Sequence, residues 1–249
     1  MLKRVLIVCG AIVALLNAGE ASAQCTSFVL AVADGRLLGP FTNSGATNLT
    51  VPYFQPSAGK SYSVEVLSAG TGLISSFTGG PGVSCPAAND ASMTVNAGVE
   101  PRLDTRGTRV SFTATSSNFI STRVDSGTFY YSVTDTTLYN PSWSTASPYA
   151  TQWGLHNTTN ATITGTLTLR ESFGGSATYT RALTLPAGST TFVTTFDTFA
   201  GGPIPAGRGG SATFTHNGPA NSIQGDGYLV GTNGTVVPTI FRAMRDTAR

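Results

Sequence analysis

The fold class of this chain is decided by one stretch, ATITGTLTLRESFGGSATYTRALTLPAGSTTFVTTF, at residues 161–196. Apolar side chains alternate there with threonine and other polar residues, as in β-strands that have one buried and one solvent-facing side. Gly174-Gly175 and Pro186-Ala187-Gly188 interrupt the alternation, and residues of these types form tight turns. The stretch therefore predicts three consecutive strands and an all-β fold.

The alternation also predicts which side chains of these strands are buried. In the first two strands the apolar residues fall on odd positions: Ile163, Leu167, Leu169, Phe173, Ala177, Tyr179, Leu183 and Leu185. After the second turn the aromatic residues Phe192 and Phe196 fall on even positions. We therefore expect the third strand to bury its even-numbered side.

The first 23 residues have the features of a secretory signal peptide. Lys3 and Arg4 precede an apolar run, and Ala21-Ser22-Ala23 supplies a cleavage motif. The run is shorter than the roughly 20 residues that span a membrane. We predict cleavage before Gln24, a secreted mature chain in the periplasm or outside the cell, and no transmembrane segment.

Two cysteines, Cys25 and Cys85, follow the predicted signal peptide. An even pair in an exported chain indicates a disulfide, and the spacing is unlike the C-x-x-C of redox proteins. The bond would close a loop of about 60 residues and stabilise the fold by about 4 kcal/mol in the loop-entropy model.

The charge balance and the motifs exclude several classes of function. Charged residues make up 10% of the chain and the formal net charge is +2, which gives no basic surface for nucleic acid or anionic membrane. The sequence contains no G-x-S-x-G, no H-E-x-x-H and no phosphate-binding loop. We predict that the protein is not an enzyme and has no cofactor.

Turn signals divide the mature chain into two parts, each long enough for a β-sandwich. Residues 24–133 carry predicted strands at 28–33, 49–54, 61–67, 93–95, 110–114 and 128–133, with a long loop at 68–89. Residues 134–249 carry predicted strands at 138–143, 149–156, 211–215, 223–230 and 236–241 besides the three described above, and then a disordered tail. The prediction is two Ig-like or jelly-roll-like β-sandwich domains in tandem after a signal peptide.

Two segments of the chain resemble known bacterial modules. The segments 58-AGKSYSVEV-66 and 127-GTFYYSV-133 resemble strands of the pre-peptidase C-terminal type of β-sandwich. The second part, through 155-LHNTT-159 and 214-FTHNGP-219, resembles an uncharacterised Ig-like module of secreted bacterial proteins. These resemblances imply a sandwich fold and export from a bacterium, and they imply no activity.

Histidine and carboxylate positions are the candidates for chemistry. His156 and His216 both precede an asparagine at a predicted strand end, which is typical of a structural histidine. The carboxylates are scattered singly, whereas a calcium loop needs closely spaced oxygen ligands. Asn89-Asp90 and Asp226 are the nearest approaches to such a loop, and we predict no metal site.

Aromatic residues near the middle of the chain are the candidates for ligand binding. Tyr139, Trp143 and Tyr149 are the predicted contact residues, because exposed aromatic rings stack on sugars or anchor interfaces. Of the two tryptophans, Trp143 is the candidate for an exposed ring, and Trp153 is predicted to lie in the core. The alternative, which we favour, is that these rings fill the second core or the gap between the two sandwiches.

The sequence predicts a non-catalytic exported bacterial protein with a structural, adhesive or ligand-binding role at or outside the cell envelope. Its expected partner is a glycan or an envelope protein, and a free strand edge is a further route to a partner. The alternative is a calcium-dependent accessory domain, or a hydrolase-associated protein of a secreted peptidase system.

Overall fold

The computed structural model describes residues 25–44, 48–68, 74–80, 102–104, 107–124 and 126–243, and they form strands and connecting turns without a helix. Eighteen strands follow one another: β1 Cys25–Leu30, β2 Leu38–Ser44, β3 Leu49–Phe54, β4 Ser61–Ser68, β5 Ile74–Gly80, β6 Arg102–Asp104, β7 Gly107–Thr113, β8 Phe119–Val124, β9 Ser126–Asp135, β10 Leu138–Ser144, β11 Tyr149–Asn157, β12 Ile163–Phe173, β13 Thr178–Leu185, β14 Thr190–Thr194, β15 Gly209–His216, β16 Ile223–Gly231, β17 Val236–Ile240 and β18 Arg242–Ala243. The predicted all-β class is confirmed. This part of the chain accordingly has no helix with the length and apolarity that a membrane crossing requires.

The strands are arranged in four sheets. Sheet I has the order β1-β3-β8-β5, sheet II β2-β9-β4-β7-β6, sheet III β13-β12-β15-β10-β18 and sheet IV β14-β11-β16-β17. The pairings are antiparallel except for that of β1 with β3, which is parallel. Antiparallel sheets tolerate one face in water, and this arrangement matches the alternation in the sequence.

The first hydrophobic core lies between sheets I and II. Sheet II contributes buried residues that alternate along β4 and β9, and sheet I closes the other side: Tyr62, Val64, Val66, Phe129, Tyr131 and Val133 face Phe54, Ile120 and Val124. Tyr131 is completely buried, and the loss of water around its hydroxyl raises the pKa of that group.

The second hydrophobic core lies between sheets III and IV. It contains both tryptophans, most of the apolar odd-numbered residues of the opening stretch and residues of other strands: among its members are Trp143, Trp153, Leu155, Ile163, Leu167, Leu169, Tyr179, Leu183, Leu185, Val193, Phe214 and Phe241. The two cores share no residue. The division into two tandem domains at residue 133 stays a prediction.

A buried polar seam joins the end of β9 and the segment between β9 and β10 to the start of β4. Thr136 N–H donates to Ser61 O at 2.8 Å, and the Thr137 hydroxyl accepts from Ser61 N–H at 2.8 Å. The buried Asp135 carboxylate accepts from Thr137 N–H and from Lys60 Nζ, each at 3.0 Å. Because buried polar groups are costly when unpaired, this bonding keeps the crossing segment in one conformation.

The third strand of the opening stretch buries the opposite side from the one predicted. Phe192 and Phe196 are 63% and 82% exposed, whereas Val193 and Thr195 are buried. The alternation has the expected period, but side-chain size does not decide which side is inward, and in β14 the inward positions are the odd-numbered ones. Phe173 and Ala177 are also wrongly predicted to be buried: Phe173 follows a register shift at the end of β12 and is 65% exposed, and Ala177 is exposed in the turn before β13.

Several other sequence-based expectations, in the first part of the chain and at its C-terminal end, need correction or stay open. The predicted loop at 68–89 contains a strand, β5, because residues 74–80 pair with β8. The predicted tail begins with β18, which pairs with β10. The signal peptide, the predicted strand at 93–95, Asn89-Asp90 and Cys85 lie outside the described residues, so the disulfide from Cys25 stays a prediction.

Strand β17 forms one edge of sheet IV. Within the described residues it pairs with β16 and with no second strand, and Tyr228 lies opposite Pro238 at its centre. Proline has no N–H to offer to a neighbouring strand, which is why prolines within sheets are found on edge strands.

Trp143 is buried, so the prediction of an exposed ring is wrong. Strand β10 shifts register between Asn140 and Trp143, and this bulge turns the indole inward. Its Nε1–H donates to Ser211 O at 3.0 Å, and the ring packs edge-on against Tyr179 with centroids 6.5 Å apart. Trp143 therefore belongs to the second core, as the alternative interpretation held, and Trp153 is buried as predicted.

Replacing Trp143 with alanine should lower the free energy of unfolding by about 3–5 kcal/mol, because it removes a large buried ring and leaves a cavity. Phe173→Ala is the matched control, since that ring is mostly exposed and its loss should cost far less. Urea unfolding of both variants measures the difference. Equal stability of the two variants would contradict the burial of Trp143.

Candidate functional site

The outer face of sheet IV is the candidate site. It is built from every second residue of its four strands, and it exposes several large apolar side chains on the solvent side. The outward set is Thr190, Phe192 and Thr194 from β14, Ala150, Gln152, Gly154 and His156 from β11, Gln224, Asp226, Tyr228 and Val230 from β16, and Val236, Pro238 and Ile240 from β17. Contiguous exposed apolar surface of this kind marks interaction sites on soluble proteins.

The Phe192 ring projects from the edge strand β14 over the neighbouring strand β11. Its strand partner is Gly154, and a Cβ built on Gly154 would lie 3.3 Å from Cε1 of the Phe192 ring. The glycine therefore provides the space in which the ring rests. On the other side of β11, Gly154 pairs with Asp226, so a carboxylate flanks the ring across the strand.

Phe196 is held outward by a rigid turn that follows β14. The Asp197 carboxylate accepts a hydrogen bond from Thr194 N–H at 2.7 Å and forms an ion pair with Arg181 of sheet III. Thr194 Oγ1 accepts from Phe196 N–H at 3.3 Å. These bonds fix the backbone on both sides of an almost fully exposed aromatic ring, and such preorganised rings are typical interface anchors.

A cavity of about 440 Å³ opens at one end of the face. It is lined by Tyr149, Gln152, Phe196 and Val230 together with the turn that contains Pro148. Its volume and mainly apolar lining are within the range of small-molecule sites. The candidate ligand residue Tyr149 therefore does lie at a cavity, beside an exposed phenylalanine that the sequence prediction had placed in the core.

A second cavity, of about 410 Å³, opens at the opposite end of β16. Its lining brings together Asp135, His216, Gln224 and Asp226. The Asp135 carboxylate is already bonded to Lys60 and to the Thr137 backbone, as described above. The polar groups of this cavity thus include one engaged carboxylate and one exposed carboxylate, Asp226.

His216 is held neutral by its surroundings. Its Nδ1 accepts a hydrogen bond from Gly218 N–H at 3.1 Å, and the ring also bonds the backbone of Thr136. Burial lowers the pKa of the imidazole to about 4, and these two backbone hydrogen bonds oppose that shift. A ring engaged in this way is a structural link to the polar seam.

The remaining predicted site residues are dispersed. Tyr139 lies on β10 of sheet III, half-buried and paired with Thr213 and Arg242, away from the face of sheet IV. His156 is on the outer face of sheet IV, where its Nδ1 is 3.1 Å from Thr190 Oγ1. The described residues contain no group of three His, Cys, Asp or Glu side chains that could hold a metal.

The sequence prediction missed Phe192, Phe196 and Tyr228 as surface residues. One signal for Phe192 was present: a glycine in the middle of a strand pattern, at Gly154, indicates close approach by another group. That signal does not identify the group, because the pairing of β11 with β14 is visible only in three dimensions.

Comparisons of the chain with models of protein families, with curated proteins and with solved structures find no match. The resemblances to the pre-peptidase C-terminal type and to an Ig-like module therefore stay predictions.

The buried His216 should make stability depend on pH in a defined window. The unfolded chain binds a proton with a pKa near 6.5 and the folded chain with a pKa of about 4, so acid favours unfolding between these values. We expect the free energy of unfolding to fall by about 3 kcal/mol from this group as pH decreases from 6.5 to 4. Urea titrations at stepped pH measure it.

The variant His216→Asn should lose this component of the pH dependence, because asparagine retains an acceptor for Gly218 N–H and does not titrate. His156→Gln is the matched control and should retain it, since His156 lies at the surface. An unchanged slope in His216→Asn would show that other groups are responsible.

Proposed function

We propose that the protein is an exported, non-catalytic binding protein that attaches to a partner at or outside the bacterial envelope through the outer face of sheet IV. The observation that carries the proposal is the exposure of Phe192 and Phe196 on rigid backbone. These two rings do not contribute to the core. When a partner covers them, apolar surface is removed from water, and this favours binding.

The shape of the face supports binding. The Phe192 ring lies over Gly154 of the adjacent strand, and a cavity with Tyr149 and Val230 in its lining continues the surface at one end. In protein interfaces a few aromatic residues supply most of the binding free energy. The polar residues around them keep water away from these aromatic rings. Export is supported by the predicted signal peptide at residues 1–23.

The second candidate is the calcium-dependent or hydrolase-associated role in a secreted peptidase system. The observation that favours it is the meeting of His216 with Asp135 and Asp226 around one cavity. The argument against it is the bonding of His216, because a general base needs a ring nitrogen available to the proton it removes. The binding role is therefore the better supported of the two.

Serine substitutions test the proposal. The labelled mature protein should bind envelopes prepared from the bacterium that encodes it, and Phe192→Ser together with Phe196→Ser should weaken this binding at least tenfold. Phe173→Ser is the control, because that ring is equally exposed but lies on sheet III. The measurement is a titration with sedimented envelopes.

Retained binding in the doubly substituted protein, or an equal loss in Phe173→Ser, would refute the role of this face. Thermal unfolding of each variant checks that the fold is intact.

A further inference from the structure

We propose that the outer face of sheet IV binds a neutral carbohydrate chain that lies over β11 and β16, between the Phe192 and Tyr228 rings, and runs from one cavity towards the other. This inference rests on the proposed binding function and specifies the ligand class of the same site. It follows from four features of the face: its rings, its polar groups, its charge and its length.

The rings of Phe192 and Tyr228 provide apolar platforms. Gly154 pairs with Phe192 and the adjacent outward residue, Gln152, pairs with Tyr228, so the two rings stand on opposite sides of β11. Their backbones are two strand spacings apart across the sheet and two residues apart along it, about 12 Å in all. A pyranose ring has a C–H face that packs on an aromatic ring, and two platforms fit two sugar units of one chain.

The polar groups around these rings suit hydroxyl ligands. Gln152 and Gln224 each carry an amide that both donates and accepts, Asp226 accepts, and His156 has an imidazole. Sugar hydroxyls are donors and acceptors at once, so neighbouring hydroxyls pair best with side chains that offer both roles. A partner that presents only apolar side chains would bury the Gln152, Gln224 and Asp226 side chains without offering them hydrogen bonds.

The charge of the face excludes anionic chains. Among its outward residues, all of which lie within residues 149–240 of the described structure, Asp226 is the only charged side chain and no Lys or Arg occurs. A sulfated or uronic-acid polymer, or a nucleic acid, would meet a carboxylate and no cation. A neutral polysaccharide is not repelled by the Asp226 carboxylate and needs no cation on the face.

The length of the face suits a chain of several sugars. The outward residues of β16 run from Val230, at the first cavity, through Tyr228 to Gln224 at the second. Six residue steps of an extended strand span about 20 Å. A linear oligosaccharide on this track would reach both cavities, whereas a single sugar would occupy one ring.

Native gel electrophoresis through gels containing one soluble neutral polysaccharide each (β-glucan, xylan, mannan or galactan) tests the inference. We expect at least one of these polymers to retard the intact mature protein. Phe192→Ala and Tyr228→Ala should each weaken the retardation about tenfold or more, and Phe173→Ala should leave it unchanged.

Gly154→Val is a variant that keeps both rings but occupies the space under Phe192. It should weaken the retardation while thermal unfolding shows an intact fold. Heparin in the gel is the anionic control and should not retard the protein.

No retardation by any of the four polymers would overturn the inference, as would retardation by heparin alone or equal weakening in Phe173→Ala. Envelope binding that still depends on Phe192 would then show that the binding function stands with a protein partner. If no polymer retards the protein and envelope binding does not depend on Phe192, both proposals are refuted.

Discussion

The face of β16 that packs into the second core is the constraint on which the rest of sheet IV depends. This inner face carries Gly225 and Gly227, and a Cβ on either would lie within 3.0 Å of another side chain: Phe241 for Gly225, and Thr239, Asn140 and Trp153 for Gly227. Only glycine leaves room there for the indole and the phenyl ring. Because side chains alternate across a strand, fixing these positions inward also fixes Asp226 and Tyr228 outward.

The class of fold was predictable from the sequence because alternation with period two is a local property. Strands β3, β12 and β16 lie close to the predicted ranges, since each is a clear alternating run between turn residues. Strand β5 was missed because its residues, 74–80, are rich in Ser, Thr and Gly and contain little apolar alternation. Its identity as a strand depends on pairing with β8, which is distant in sequence.

The candidate site was less predictable, because exposure depends on which face of each strand is covered. The bulge between Asn140 and Trp143 reverses the side on which the tryptophan lies, and nothing local in the sequence specifies it. Phe192 shows the opposite failure: its hydrophobicity suggested burial, but the ring rests on Gly154 at the surface. Tyr149, a predicted contact residue, lines a cavity of which there was no sign in the sequence, because the residues that share this cavity come from distant strands.

The proline at the centre of β17 has a consequence for the protein at high density. An open edge of a sheet is a template on which identical copies can add, one strand after another, until fibrils form. Pro238 removes one donor from the middle of this edge, so a growing cross-β ladder would be interrupted there. Crowded copies of the protein would in this way be hindered from joining edge to edge through β17.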